Sequence, residues 1–302
     1  MIGFDLVVAN YNNGHFLEEL VNSVKEQSFP HWHIYIVDDC STDDSQSIIR
    51  QIAKEDNVTA IFLEENGGAT HAFKTGIEAG SNSLVGLIGA DDALPPEALA
   101  TMLKAIEKKP DGSLYYSQCL DCDSDLNPIA PRNHAKPLDS DVEVFHQLYS
   151  IFNFLVFPRA KYEESDGLNS RLRRAMDHDL ILKLDEVGAI HFVPEVCYLY
   201  RNHERGISQG GNGLIASQYS VLARLDAYQR RMNKPISINE YRNLNLSYHV
   251  RCVEMSRSFT DQRLLYHWIQ VLLRQPVKAL QWNVLKGLAR PLMRKVKPQR
   301  TP

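Results

Sequence analysis

The first 90 residues alternate between short apolar runs and amphipathic segments. Between the runs, apolar residues recur at intervals of three and four, as from Phe16 to Val24, which is the spacing of one helix face. Strands and helices that alternate in this way predict a mostly parallel sheet, joined by right-handed crossovers and flanked by helices. The four runs with the length and composition of strands cover residues 4–9, 33–37, 58–63 and 84–88.

The pattern changes after about residue 110. Strand-like patches occur at residues 113–116 and 190–193, and a helical pattern covers 179–187, with irregular sequence between them. From about residue 211 onward, the spacing of Leu and aromatic residues is helical. We therefore expect three regions, of which the last is a helical carboxyl-terminal extension.

Acidic pairs follow two of the predicted strands. Asp38 and Asp39 end the second strand, and Asp91 and Asp92 come just after the fourth. The carboxyl ends of parallel strands share one edge of a sheet, which is where ligands bind in open α/β folds. Carboxylates there can bind a base or ribose, or hold Mg²⁺ or Mn²⁺ against phosphate oxygens. The alternative is structural: Asp43 or Asp44 caps the helix after the second strand, and Asp91 and Asp92 only precede the helix start at Leu94-Pro95-Pro96-Glu97.

The charge of the chain is unevenly distributed. The formal net charge is −4, but residues 262–302 carry nine Lys or Arg and no Asp or Glu. The acidic body argues against nucleic-acid binding. Residues 282–300 combine Trp282, spaced Leu residues and basic side chains, which predicts either contact with an anionic membrane surface or a helix packed on the domain.

The cysteines and the amino terminus both bear on the location of the protein, and the cysteine pattern is typical of reduced thiols. The five cysteines are an odd count, and Cys119 and Cys122 have no second pair to complete a zinc site. The amino terminus lacks a basic segment, and no stretch reaches the roughly 20 apolar residues of a membrane-spanning helix. We expect a cytoplasmic protein, with contact at the inner membrane surface if the tail binds lipid.

Four motifs in a fixed order resemble those of one large family. They are Val8-Ala9-Asn10-Tyr11-Asn12, Ile36-Val37-Asp38-Asp39-Cys40-Ser41-Thr42-Asp43, Asn66-Gly67-Gly68, and Ala90-Asp91-Asp92 with Pro95 beyond. Together they resemble the family-two inverting glycosyltransferases of GT-A fold, over about residues 4–205. The resemblance implies an α/β fold with a nucleotide-sugar-binding half at 1–110, an acceptor-binding half at 111–210 and a helical extension at 211–302.

The resemblance also implies roles at the predicted sheet edge. The implied cofactor is a divalent cation, Mn²⁺ or Mg²⁺, held by Asp92. Tyr198-Leu199-Tyr200-Arg201-Asn202-His203 resembles the family's Tyr-Arg-x-His segment, from which His203 or Arg201 is expected to reach the metal or the diphosphate. A structural role for His203 is the alternative. The implied nucleotide-binding residues are Ala9, Asn10 and Tyr11 beside the nucleotide, Asp39 at the uracil and Asp91 near the ribose.

The catalytic base is expected in a later segment. Met176-Asp177-His178-Asp179-Leu180 resembles the family's Glu-Asp-x-x-Leu segment, in which Asp177 matches the base. Inverting transfer needs a carboxylate that takes the proton from the acceptor hydroxyl as that hydroxyl attacks the sugar. Asp179 is the rival, and because side chains two apart on a helix point about 200° from each other, only one can face a cleft. Alternatively, Asp177 caps the helix.

The resemblance implies an inverting glycosyltransferase of the hexosyl- or N-acetylhexosaminyl-transferase class. It would move a sugar from a nucleotide-diphosphate donor, expected to be a UDP-sugar, to a glycan or lipid-linked acceptor in cell-surface polysaccharide synthesis. Gly89 stands where many relatives carry a further acid, and Phe73-Lys74 stand where relatives often have Arg-Asn. These departures favour the alternative, a non-catalytic domain that binds nucleotide sugar or glycan as a partner subunit. A nucleotidyltransferase is disfavoured because no glycine-rich phosphate loop follows the first strand.

Overall fold

The computed structural model describes residues 2–151, 154–170, 172 and 175–203, together with isolated positions between 219 and 280. The chain divides into two compact units, Met1–Gly206 and Ile207–Pro302. Apart from the isolated positions, the helical extension predicted for 211–302 and the tail at 282–300 lie outside the described residues. Among the described residues, no helix is long and apolar enough to cross a membrane.

Eight strands form one mixed sheet in the first unit. They are β1 (Phe4–Asn10), β2 (Trp32–Asp38), β3 (Val58–Phe62), β4 (Leu84–Gly89), β5 (Gly112–Cys122), β6 (Pro128–Pro131), β7 (Leu155–Pro158) and β8 (Ala189–Arg201). Strands β3, β2, β1 and β4 pair in parallel in that order, and β8 pairs in parallel with β5. β7 runs antiparallel to both β4 and β5 and so joins the two parallel parts, and β6 is antiparallel to β5.

Helices cover both faces of this sheet. Residues of the first, second and fourth helices share one apolar core with Leu6 and Val8 of β1. Gly76 of the third helix lies on the other face, where a Cβ would be 2.4 Å from Val7, so glycine allows the close approach. The helices are α1 (Gly14–Lys25), α2 (Ser45–Ile52), α3 (Ala69–Ala79), α4 (Ala98–Lys108), α5 (Val144–Gln147), α6 (Arg159–Glu164) and α7 (Met176–Val187), with a 3₁₀ turn at Leu148–Ser150.

The α/β architecture and the four parallel strands predicted from the apolar runs are confirmed. β1 is buried on both faces, and so it appears in the sequence as a continuous apolar run. β5 and β8 extend well past the patches predicted at 113–116 and 190–193. Strands β6 and β7 and helices α5 and α6 were not predicted, because each has only four to six residues and shows little periodicity. Strands from before and after residue 110 belong to the same sheet, so the two predicted halves lie in one compact unit.

A buried ion pair joins β1 to the start of α6 at the amino edge of the sheet. Nη2 of Arg159 lies 2.7 Å from Asp5 Oδ2, and the Asp5 side chain is 1% exposed. Asn82 adds hydrogen bonds to both oxygens of Asp5, from its backbone N–H (2.8 Å) and its side-chain amide (2.7 Å). The remaining donors of Arg159 bond the carbonyls of Asn82 (2.8 Å) and Ile77 (2.6 Å), so the charge pair is fully surrounded by partners.

Removing Asp5 leaves the Arg159 charge buried without its counterion, which is far more costly than losing a surface pair. We expect Asp5→Ala to lower the free energy of unfolding by about 3–5 kcal/mol in urea denaturation. Glu55→Ala is the control: it breaks the Lys25–Glu55 pair, whose side chains are 44% and 52% exposed. That variant should lose less than about 1 kcal/mol, and equal losses in the two variants would contradict the prediction.

Candidate active site

Polar side chains join the carboxyl ends of β1 and β2. Asn10, the last residue of β1, donates from its amide to Asp38 Oδ1 (2.9 Å) and Ser41 Oγ (3.2 Å). Asp38 also accepts the hydroxyl (2.6 Å) and backbone N–H (3.0 Å) of Ser41. These bonds fix a loop in which the backbone of Cys40 has a left-handed conformation (φ +60°). Ala9 is half-buried in β1, and Tyr11 is 46% exposed, so its ring is available to stack on a ligand.

Asp39 ties this loop to the start of α3. Its two carboxylate oxygens accept the backbone N–H groups of Gly67 and Gly68, each at 2.8 Å. Gly68 has φ +84°, a conformation that glycine adopts without strain. The amide of Asn66 donates to the Asp39 carbonyl (3.2 Å). Asp39 is therefore buried at the sheet edge and holds the Asn66-Gly67-Gly68 motif beside the β1 and β2 loops.

Asp92 lies inside the protein, with both carboxylate oxygens hydrogen-bonded. Oδ2 accepts the hydroxyl of Tyr198 (2.6 Å), whose oxygen accepts the backbone N–H of Gly89 (2.9 Å). Oδ1 accepts the backbone N–H of Arg201 (2.9 Å). Burial, and to a smaller extent the charge of Asp91, raises the pKa of Asp92 to about 8, against the opposing effect of these hydrogen bonds. The expected cation-binding role of Asp92 does not fit this position, because its oxygens face protein donors.

Asp91 occupies the more accessible position beside His203. Asp91 Oδ2 lies 2.9 Å from Nε2 of His203, and the two side chains are 23% and 9% exposed. The His203 ring packs edge-on against Phe16, with ring centroids 5.0 Å apart. A carboxylate and an imidazole at this separation are a donor set that fits a divalent cation such as Mn²⁺. No larger cluster of His, Cys, Asp or Glu suited to a metal occurs among the described residues, so substrate and water would complete the coordination.

Gly89 lies directly against both acids. A Cβ at this position would be 2.6 Å from Asp92 Oδ2 and 2.9 Å from Asp91 Oδ1. Any side chain at position 89 would therefore displace these carboxylates, including Asp92 Oδ2, which accepts the Tyr198 hydroxyl. The departure from the family pattern at Gly89 is thus linked to the inward orientation of Asp92.

The two acids at the start of α7 have different surroundings. Asp177 is exposed and is the second residue of the helix, whose N-cap is Ala175, so Asp177 does not cap it. Asp179 is fully buried, and its Oδ2 lies 3.1 Å from Nζ of Lys183. Lys183 also donates to the carbonyl of Gly167 (2.6 Å). Only Asp177 of these two acids is open to an acceptor.

Two features bring the start of α7 towards the same edge. α7 packs against β5 and β8, and one residue separates its end from β8, so the helix and the strand run in opposite directions. The hydroxyl of Thr70, in the first turn of α3, donates to the carbonyl of Leu172, five residues before Asp177. The structure therefore places Asp39, Asp91 and Asp92 at one edge and ties the segment before Asp177 to it.

Two contributors were not identified from the sequence. Tyr198 was noted only as part of a motif, yet its hydroxyl links Gly89 to Asp92. Phe16 was assigned only to the apolar face of α1, yet its ring contacts His203. The available signal was weak, because both contacts join positions more than 100 residues apart.

The chain belongs to the family described as glycosyl transferase family 2, whose sequence model matches residues 5–166. The O-antigen biosynthesis protein RfbC of Myxococcus xanthus is 27% identical over 226 residues, which are 74% of this chain and 18% of RfbC. A Sinorhizobium fredii protein, y4gI, is 29% identical over 65% of this chain and 22% of its own length. The chain therefore spans about a fifth of the length of these two relatives.

Solved structures show the same fold. S. aureus TarS 1–349 in complex with UDP-GlcNAc aligns with a TM-score of 0.62 at 16% identity, over 99% of this chain and 93% of that one. The mannosyltransferase PcManGT from Pyrobaculum calidifontis, in complex with GDP-Man and Mn²⁺, aligns with a TM-score of 0.54 at 17% identity, over 97% of this chain and 87% of that one. These likenesses confirm the GT-A type of α/β fold.

The hydroxyl of Tyr198 should be essential for the stability of this edge. Tyr198→Phe leaves the Gly89 N–H and Oδ2 of Asp92 each without its hydrogen-bond partner, and we expect it to cost about 1–3 kcal/mol in urea denaturation. Tyr35→Phe is the matched control, because no hydrogen bond of the Tyr35 hydroxyl occurs within the described residues. This control should stay within about 0.5 kcal/mol of wild type. A Tyr198→Phe protein as stable as wild type would contradict the hydrogen-bond assignment.

Proposed function

We propose that the protein is a metal-dependent inverting glycosyltransferase that uses a nucleotide-diphosphate sugar, specifically a UDP-sugar. The observation that carries this proposal is the meeting of the Asn10–Asp39 loops and the Asp91–His203 pair at one edge of the sheet in a family-two chain. TarS with UDP-GlcNAc and the RfbC relative support a UDP-sugar donor and a role in cell-surface polysaccharide synthesis. The acceptor is proposed to be a hydroxyl of a glycan or of a lipid-linked sugar, and the transferred group a hexose or N-acetylhexosamine.

The cation is assigned to Asp91 and His203 rather than to Asp92. Support comes from the 2.9 Å contact between the two side chains and from the exposure of Asp91, whereas Asp92 is occupied by Tyr198 and Arg201. A bound Mn²⁺ or Mg²⁺ would neutralise the charge that develops on the departing diphosphate. The Mn²⁺ complex of PcManGT supports manganese as the ion to test first.

The nucleotide is proposed to lie against the β1 and β2 loops. Tyr11 offers an exposed ring on which a base can stack, and the buried network of Asn10 and Asp38 holds that loop in place before the donor arrives. Asp39 fixes the backbone of Gly67 and Gly68, and we assign the contact with the uracil to this region. A loop fixed in advance lowers the entropy that donor binding costs.

Asp177 is proposed as the general base. Its carboxylate would take the proton from the acceptor hydroxyl as that oxygen attacks the anomeric carbon, on the face opposite the departing diphosphate. The exposure of Asp177 supports this role, and the burial of Asp179 beside Lys183 removes the rival. The diphosphate leaves with the nucleotide. Because the reaction is a single displacement from the opposite face, the anomeric configuration of the sugar is inverted.

Asp91→Asn and Asp177→Asn should impair sugar transfer in different ways. Asp177→Asn removes the proposed base, so it should lower kcat by about 10²–10⁴-fold and leave the donor affinity unchanged. Asp91→Asn removes a proposed metal ligand, so it should raise the Mn²⁺ concentration that gives half-maximal rate. The measurement is UDP release with an oligosaccharide acceptor panel, alongside calorimetry of UDP binding with Mn²⁺.

Glu163→Gln is the control for these variants, because Glu163 is another exposed helical acid, on α6, and should be as active as wild type. Full activity of Asp177→Asn would disprove its role as base. The alternative of a non-catalytic, sugar-binding partner subunit is favoured by the absence of an acid at Gly89. It predicts UDP binding by the wild-type protein with no UDP release on any acceptor in the panel.

A cytoplasmic location with the basic tail at the inner membrane surface is part of the same proposal. Deleting residues 282–300 removes Trp282 and the basic side chains, so binding to vesicles that contain anionic lipid should fall. Sedimentation with anionic and with neutral vesicles measures this, and vesicles of neutral lipid are the control. Unchanged binding to anionic vesicles after the deletion would show that the tail does not carry membrane contact.

A further inference from the structure

Arg201 contacts three separate parts of the chain from a position where its side chain is 2% exposed. Nε donates to the carbonyl of Asp91 (2.6 Å), Nη1 to the carbonyl of Ser124 (2.5 Å) and Nη2 to Oε2 of Glu19 (2.5 Å). The guanidinium also lies over the ring of Phe16, 4.6 Å from its centroid. One side chain therefore links the loop after β4, the turn between β5 and β6, and helix α1.

Two of these contacts reach the Asp91–His203 pair. The hydrogen bond from Nε holds the backbone of Asp91 itself. The Phe16 ring contacts both groups, with the guanidinium carbon 4.6 Å from its centroid and the centroid of the His203 ring 5.0 Å away. Arg201 thus restrains one member of the pair directly and the other through an aromatic ring.

The guanidinium is not positioned to bind the diphosphate. It is buried, its charge is paired with Glu19, and its three donor nitrogens each bond a protein acceptor. A group with these partners acts on the protein around it rather than on a ligand in the cleft. The sequence left open whether Arg201 or His203 reaches the substrate, and this geometry favours His203.

We propose that Arg201 is a positioning residue that holds the Asp91 carboxylate and the His203 imidazole at the separation at which they bind one cation. The inference rests on the proposed metal-dependent function. Arginine is required because its planar fork reaches acceptors in three directions, whereas the lysine ammonium is a single point donor that cannot span them. Groups that orient metal ligands commonly change metal affinity when they are lost, even though they do not touch the ion.

Arg201→Lys tests this role while it keeps the positive charge and the backbone N–H that bonds Asp92. Mn²⁺ affinity is measured by electron paramagnetic resonance titration of the full chain in the presence of UDP. We expect affinity to fall by about tenfold or more. The affinity for UDP without metal should not change. His203→Ala is the positive control for loss of a ligand.

Arg159→Lys is the matched control for a purely structural effect. Arg159 is also a mostly buried arginine with three protein acceptors, but it lies at the opposite edge of the sheet. This variant should lower the melting temperature and leave Mn²⁺ affinity as in wild type. Phe16→Leu is a second test that leaves the Arg201 side chain in place, and removing the ring contact should weaken Mn²⁺ binding by a smaller factor.

The outcomes separate this inference from the function on which it rests. Wild-type Mn²⁺ affinity in Arg201→Lys, or an equal loss in Arg159→Lys, would overturn the positioning role while leaving the cation site standing. If Arg201→Lys fails to fold, unchanged affinity in Phe16→Leu overturns the inference instead. A wild-type protein that binds UDP but no Mn²⁺ would overturn the proposed cation site, and the positioning role with it.

Discussion

The buried carboxylate of Asp92 holds the carboxyl end of β4 to the carboxyl end of β8. Burying a carboxylate is costly unless its oxygens have partners, and Asp92 receives hydrogen bonds from the Tyr198 hydroxyl and the Arg201 N–H. A β-bridge between Ala93 and Leu199 runs beside these bonds. Asp91 directly precedes Asp92, and His203 follows Arg201 by two residues. The bonds of Asp92 therefore also hold Asp91 and His203 close to each other.

The acids of this edge divide between internal and accessible positions, and this division organises the site. Of the internal acids, Asp38, Asp39 and Asp92 accept hydrogen bonds from backbone or side-chain donors, and Asp179 is paired with Lys183, whereas the accessible acids are exposed to solvent. The internal set includes Asp38, Asp39, Asp92 and Asp179, and the accessible set includes Asp91 and Asp177. The geometry of this edge thus also depends on acids that are not proposed to touch substrate.

Much of the fold could be predicted from the sequence, because buried parallel strands such as β1 and β4 appear as continuous apolar runs. The short antiparallel strand β7 could not, because four residues carry no readable period, although β7 joins the two halves of the sheet. At the site, the motifs predicted that the acids after β2 and β4 share one edge of the sheet, and the parallel pairing of these strands with β1 agrees with that placement. They assigned the cation to Asp92 and the ribose to Asp91, and they could not show that Asp92 turns inward, because its partner Tyr198 is more than 100 residues away.

The contact between Gly89 and the two acids also constrains how this chain can diverge from its relatives. A side chain at position 89 would require these carboxylates to move, since a Cβ there would lie 2.6 Å from Asp92 Oδ2. Moving Asp92 Oδ2 would disturb the bond that it accepts from the Tyr198 hydroxyl, so the residue at position 89 affects the contact between β4 and β8.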